Sequence, residues 1–169
     1  MKTVYLLRHA KSIWDDLYQI DKDRVLADRG VNDALQLGTY VKRNNLNPNI
    51  IYCSTALRCI QTLSLMRSGS KTGKKDIIYD DDLYGCHTSF LLNILCHQDK
   101  GINSILLVNH EPTLSDLVNF LVPRDKILET GYIKYNTCGF SILKYKANDW
   151  SNINQENLSS FEFIIPKNL

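Results

Sequence analysis

The chain has no apolar run near the ~20 residues that a membrane-spanning helix needs, so no membrane partner is expected. Its first apolar run, Val4 to Leu7, is too short for the hydrophobic region of a signal peptide, and Arg8 interrupts it. An excess of charge of one sign is also lacking. Twenty Lys and Arg against eighteen Asp and Glu leave a net charge of +2. That gives no strongly basic face, so no nucleic-acid partner is expected. Lys71, Lys74 and Lys75 cluster, but in SGSKTGKKD, which reads as a solvated loop. The same segment fails as a P-loop. Gly69 and Gly73 are one residue too close, and Lys75 stands where Ser or Thr is required. The five cysteines are odd in number and form no CxxC pair, which excludes a disulfide framework and a structural zinc site. The four histidines lack supporting Cys or carboxylate spacing, so neither metal nor cofactor is expected. Reduced thiols in a cytoplasmic protein remain. No internal repeat or linker breaks the chain.

What is present is an ordinary globular composition, 44% hydrophobic and 22% charged, over 169 residues. That length suits one domain with a sizeable core, spanning 1–169. Short apolar runs alternate with helical stretches, which predicts βαβ units and an α/β fold. Thr3–Leu7 reads as the first strand, Ile50–Cys53 as the second, Ile77–Tyr79 as the third and Ser104–Val108 as the fourth. Phe140–Tyr145 and Phe161–Ile165 read as a terminal strand pair. Asp28 is placed to cap a helix over about 30–44, with Val31, Ala34, Leu35, Gly38 and Val41 on its inner face. Ser54 or Thr55 is placed to cap a second helix from about Ala56 to Arg67. Thr88 or Ser89 starts a third, with Leu91, Leu92 and Leu95 inward. Pro112 and Thr113 open a fourth.

The unusual polar residues fall at strand ends. Arg8 and His9 follow the first strand, Arg58 lies in the first turn after the second, and Asn109-His110 follow the fourth. In open α/β sheets, ligands bind outside the carboxyl ends of the strands. Arginine suits a phosphate, and a neutral imidazole beside it can accept a phosphoryl group. Singly, each has a plainer reading. A histidine after a strand is usually just hydrogen-bonded, and an arginine in a first turn usually faces solvent. The helix macrodipole disfavours an arginine there unless an anion sits beside it. Three such groups predicted at one sheet edge favour a phosphate site.

These segments resemble the histidine phosphatase, or phosphoglycerate-mutase-like, superfamily. The likeness runs in order through LLRHAKSxWDD, Asp23–Gly30 (DRVLADRG), Ser54–Thr62 (STALRCIQT) and Asn109-His110-Glu111-Pro112, over about residues 3–122. Within the superfamily the chain is most similar to the small phosphohistidine phosphatase branch. Ala10 stands where the usual triplet has glycine, and Asn109 where glycine commonly precedes the second histidine. The resemblance implies a three-layer sandwich with a mainly parallel central sheet flanked by helices and no large cap domain. It implies a metal-independent phosphatase in which His9 is the nucleophile, Arg8 and Arg58 clamp the phosphoryl oxygens, and His110 donates to another. Arg24 then reaches the pocket from its loop, and Lys11 adds positive charge at the rim.

A general acid is missing from this set. Many members of the superfamily place a carboxylate after the third strand. Asp80, Asp81, Asp82 and His87 lie there without a clear motif, and Asp15 and Glu111 are weaker candidates. A phosphoramidate eases the want of an acid, because a protonated imidazole is a good leaving group. The stretch from Asp80 to Gly101 also has room for one helix and no cap, so the pocket is expected to lie open. Both points favour phosphohistidine on a protein partner. A small phosphate ester is the alternative. A phosphate-binding module without turnover is a third reading, opposed by the joint presence of Arg8, His9, Arg58 and His110.

Overall fold

The protein is represented by a computed structural model that describes residues 1–14, 18–68, 76–132 and 134–169. Lys71, Lys74 and Lys75, with the rejected P-loop segment, and the acid candidate Asp15 lie outside the described residues.

One six-stranded sheet runs in the order β3-β2-β4-β1-β5-β6. Strands β1 (Lys2–Arg8), β2 (Ile50–Ser54), β3 (Asp76–Asp80) and β4 (Ser104–Asn109) are parallel; β5 (Phe140–Tyr145) and β6 (Leu158–Ile164) add an antiparallel edge. The inner strands are apolar on both faces because both faces are covered. In β1, Val4 and Leu6 enter one core while Tyr5 and Leu7 enter the other. Helices α1 (Asp28–Arg43) and α2 (Leu57–Ser68) cover the face carrying Tyr5 and Leu7. Helices α3 (Thr88–Cys96) and α4 (Thr113–Leu121) cover the face carrying Val4 and Leu6. The result is the expected three-layer α/β sandwich. Between β3 and β4 the chain forms a single 3-10 turn and α3, so no cap domain is built there.

Several local expectations need correction. The inner face of α1 is Gly30, Ala34, Leu37, Gly38 and Val41, while Leu35 is 42% exposed. Leu37 completes the i, i+4, i+7, i+8 stripe, and Leu35 falls outside it. Asp28 is the first residue of α1 rather than its cap, which is Ala27 without a side-chain bond. Its carboxylate still lies in the first turn, where the macrodipole favours it. Leu92 of α3 is only partly buried, beside fully buried Leu91 and Leu95. A short helix α5, Arg124–Glu129, follows Pro123 and was not anticipated from the sequence. Among the described residues no helix is long and apolar enough to cross a membrane.

Two glycines let backbone pack on backbone. A Cβ on Gly38 would lie 2.4 Å from the Met66 carbonyl oxygen, so α1 and α2 cross closely. A Cβ on Gly30 would lie 2.1 Å from the Lys11 carbonyl oxygen. That seats the start of α1 directly on the loop leaving β1. Replacing Gly30 by Ala is therefore expected to destabilise by about 1–3 kcal/mol, as overpacking does, and to displace the Lys11 segment. A denaturant midpoint indistinguishable from wild type would contradict this packing.

Candidate active site

Strands β1 and β4 are neighbours, with Arg8 opposite Asn109. The residues that follow each strand therefore emerge side by side. The His9 and His110 rings lie 5.1 Å apart, centre to centre. Strand β2, on the other side of β4, ends at Ser54, and the turn into α2 carries Arg58 to the same edge. A cavity of about 490 Å³ opens there. Arg8, His9, Lys11, Arg24, Arg58 and His110 all line it, so the structure brings all six anticipated residues together. Lys11 is exposed at the rim.

His9 is held from both sides. Its amide donates to the Asn109 carbonyl (3.3 Å), and its carbonyl accepts from Cys138 (3.1 Å). The Ala10 amide donates to Thr62 Oγ1 (2.9 Å), whose hydroxyl donates to the Arg58 carbonyl (2.6 Å). Ala10 is fully buried and is not among the residues with positive φ, so this backbone accepts alanine where relatives have glycine. The His9 Nδ1–H donates to the Ala10 carbonyl at 2.8 Å. That bond fixes the tautomer and leaves Nε2 with a free lone pair. Burial, with the nearby Arg58, Arg8 and Arg24 charges, lowers the His9 pKa to about 4.

The three arginines share one pattern. Arg8 Nη1 donates to the Tyr135 carbonyl (2.6 Å). Arg24 Nη2 donates to Ser12 Oγ (2.8 Å), and its guanidinium stacks 3.5 Å from the centre of the Trp14 ring. Arg58 Nη1 donates to the Asp21 carbonyl (2.6 Å) and Nη2 to Asp21 Oδ2 (2.9 Å). In each, Nε is buried without a partner among the described residues. Buried donors left open in this way are what an anion site requires. Gln61, next to Thr62, accepts from the Leu26 amide (2.8 Å) and so braces the loop bearing Arg24.

His110 is held by hydrogen bonds at both ring nitrogens. Arg58 Nη2 lies 3.4 Å from its Nδ1 and can only donate, so Nδ1 accepts. The His110 proton therefore sits on Nε2 and is directed to Ser54 Oγ at 2.9 Å. In this arrangement His110 presents no N–H to a phosphoryl oxygen; donation needs a proton to arrive at Nδ1. Burial first, and the neighbouring His9 and Arg58, lower its pKa to about 3.

Sequence reasoning gave no role to Asp21, Tyr84, Ser12, Trp14 or Thr137, all of which line the cavity. Nothing in the spacing of Asp21 reveals that its loop folds back onto Arg58. Of the acid candidates within the described residues, Glu111 lines the cavity and Asp80, Asp81, Asp82 and His87 do not. Asp80 caps the turn after β3 through the Asp82 amide (2.9 Å), and Asp81 pairs with Lys22 (2.7 Å) and Thr55. Glu111 accepts from the Ser115 amide and hydroxyl, and burial raises its pKa. Among the described residues no cluster of three His, Cys, Asp or Glu is placed to hold a metal ion.

The sequence profile of the histidine phosphatase superfamily (branch 1) matches residues 4–90. The chain belongs to that superfamily. A structure from Agrobacterium tumefaciens, assigned as the phosphohistidine phosphatase SixA, superposes with a TM-score of 0.82 at 26% identity over 98% of both chains. The protein histidine phosphatase SixA complexed with tungstate superposes with a TM-score of 0.73 at 19% identity, again over 98% of both. An uncharacterized protein of Mycobacterium tuberculosis is 28% identical over 165 residues, covering 95% of this chain and all of the relative. The chain thus falls in the small SixA-like branch of the superfamily, whose members are phosphatases.

The lowered values for His9 and His110 carry a signed consequence. An unfolded histidine titrates near 6.5, so the unfolded chain binds more protons than the folded one between that value and about 4 for His9 and about 3 for His110. Folding stability is fully supported above pH 6.5 and falls as acid is added through that window. NMR titration of the two rings is expected to show both neutral at pH 6, with His9 titrating near pH 4 and His110 near pH 3. A midpoint near 6.5 for His9 would contradict its placement.

Proposed function

We propose that the protein hydrolyses phosphohistidine carried on another protein, by way of a transient phosphohistidine on His9. The observation that carries this reading is a neutral His9, its Nδ1–H tied to the Ala10 carbonyl, at the base of a cavity walled by Arg8, Arg24 and Arg58. The Nε2 lone pair attacks phosphorus as the bond to the substrate nitrogen breaks. Arg8 and Arg58 hold the equatorial oxygens, where charge must be stabilised through a loose transition state. The substrate imidazole, protonated on its far nitrogen, takes the bonding pair and leaves neutral. Water then attacks phosphorus, the N–P pair returns to His9, and phosphate departs with the water's oxygen. A singly protonated phosphoryl group can supply the proton that His110 Nδ1 needs before it donates.

The open mouth supports a macromolecular substrate. Among the described residues no cap encloses the cavity, and Trp14 (66% exposed) stands at its edge. Glu111 favours the second reading, a small phosphate ester. Its burial makes protonation easier, and it faces the cavity from which an alkoxide would leave.

A substrate panel tests the two readings. A phosphohistidine-bearing domain is expected to show a higher kcat/KM than sugar phosphates or nucleotides, and His9→Ala should abolish every activity. Glu111→Gln should slow phosphohistidine turnover by far less than the ~100-fold typical of losing a general acid. A sugar phosphate or nucleotide with the higher kcat/KM would move the protein to the second reading. A collapse in Glu111→Gln would show that the proton donor is Glu111.

A further inference from the structure

A carboxylate is out of place in a phosphate pocket, yet Asp21 sits in this one. Its Oδ2 accepts from Arg58 Nη2 (2.9 Å) and from the Tyr84 hydroxyl (2.6 Å), and its Oδ1 lies 3.3 Å from Arg24 Nη1. Its main-chain carbonyl takes Arg58 Nη1 as well. Asp21 thus spends its negative charge on two of the three guanidiniums that would grip the phosphoryl group. The Tyr84 hydroxyl first, with the two arginines, holds its carboxyl below the ordinary range, so it stays ionised. Beside a phosphoryl dianion that charge is repulsive. A site selected only for phosphate affinity gains nothing from it.

The position of Asp21 in the cavity gives the charge a use. His9 is 8% exposed at the base, whereas the Asp21 side chain is 48% exposed. Displacement at phosphorus is in line, so the leaving group lies opposite His9, on the solvent side. Asp21 and Tyr84 are lining residues that reach the solvent, at 48% and 37% exposure. Lys11 is also at the rim, and Glu111 stands on the wall engaged by Ser115. The nearby Lys22 is already paired with Asp81 (2.7 Å).

We infer that Asp21 is a specificity-determining residue that selects substrates whose leaving group carries a positive charge, its carboxylate accepting a hydrogen bond from the protonated leaving nitrogen heterocycle. This rests on the phosphohistidine reading and deepens it. The bound substrate is a phosphoimidazole protonated on the nitrogen remote from phosphorus, and that N–H donates to Asp21. As His9 Nε2 bonds to phosphorus, the N–P pair passes to the departing nitrogen. The ring leaves as neutral imidazole with its proton still in place, and no proton crosses from the enzyme. An anionic leaving group, such as a phenolate or a sugar alkoxide, finds only repulsion from the same carboxylate. Tyr84 and Arg58 fix the carboxylate's orientation, so little reorganisation accompanies the selection.

The test compares Asp21→Asn and Asp21→Glu with wild type on three substrates: a phosphohistidine-bearing domain, phosphoramidate and an aryl phosphate. Inorganic phosphate serves as inhibitor. In Asp21→Asn the ratio of kcat/KM for phosphohistidine to that for aryl phosphate should fall about 10- to 100-fold, the weight of one hydrogen bond to a charged group. Inhibition by phosphate should tighten, because the clamp loses its internal anion, and Asp21→Glu should restore much of the ratio. If all three substrates lose activity in parallel, Asp21 only braces Arg58 and the inference fails. An unchanged ratio overturns it too. If wild type does not hydrolyse phosphohistidine, the functional reading fails by itself. The ratio of phosphoramidate, whose nitrogen is protonated, to aryl phosphate then decides the role of Asp21 independently.

Discussion

Three guanidiniums buried around one cavity repel one another, and the architecture of this protein's active edge is arranged to hold them there. Each is fixed at its outer nitrogens by a neutral or anionic acceptor: the Tyr135 carbonyl for Arg8, Ser12 for Arg24, and Asp21 for Arg58. Those acceptors come from distant parts of the chain, so the anion site exists only in the folded state. Each Nε is left buried and open. The cost of that arrangement falls on folding, and in the proposed cycle the phosphoryl group offsets it.

Burial first, and then the same cations, set the state of the two histidines. Burial among positive charges keeps both rings neutral, which a nucleophile requires and a phosphate donor does not. His9 is therefore ready as it stands, with Nε2 free. His110 is not; its Nδ1 already accepts from Arg58 and its proton points to Ser54. The two imidazoles, of like type and 5.1 Å apart, are divided in role by their second hydrogen bonds, a carbonyl for one and a hydroxyl for the other. In the proposed cycle the substrate itself brings the proton that converts His110 from acceptor to donor.

The fold was legible because its inner strands are apolar runs of a length that only a doubly covered sheet explains. The site residues were legible because Arg8, His9, Arg58 and His110 sit at the ends of strands or in the turn beyond, and parallel strands bring such ends together. What stayed hidden has a common cause. Asp21, Tyr84, Gln61 and Thr62 act through contacts whose partners are 35 to 63 residues away in the chain, or through backbone amides that carry no sequence label. The acids after β3 showed no clear motif because Asp80 and Asp81 are spent on a turn cap and a surface pair. Leu35 misled because it is apolar yet lies about 200° round the helix axis from the buried Leu37. Helix α5 was missed because six residues are too few for a periodic signal.

The central claim is that His9 Nε2 is the in-line nucleophile within the arginine cage. A crystal structure with vanadate, which adopts the five-coordinate geometry of phosphoryl transfer, tests it most directly. The account predicts vanadium bonded to His9 Nε2, with Arg8 and Arg58 on the equatorial oxygens, His110 Nδ1 donating to a third, and the apical oxygen facing Asp21. Vanadate bound away from His9, or bonded through a ring whose Nδ1 has left the Ala10 carbonyl, would contradict it.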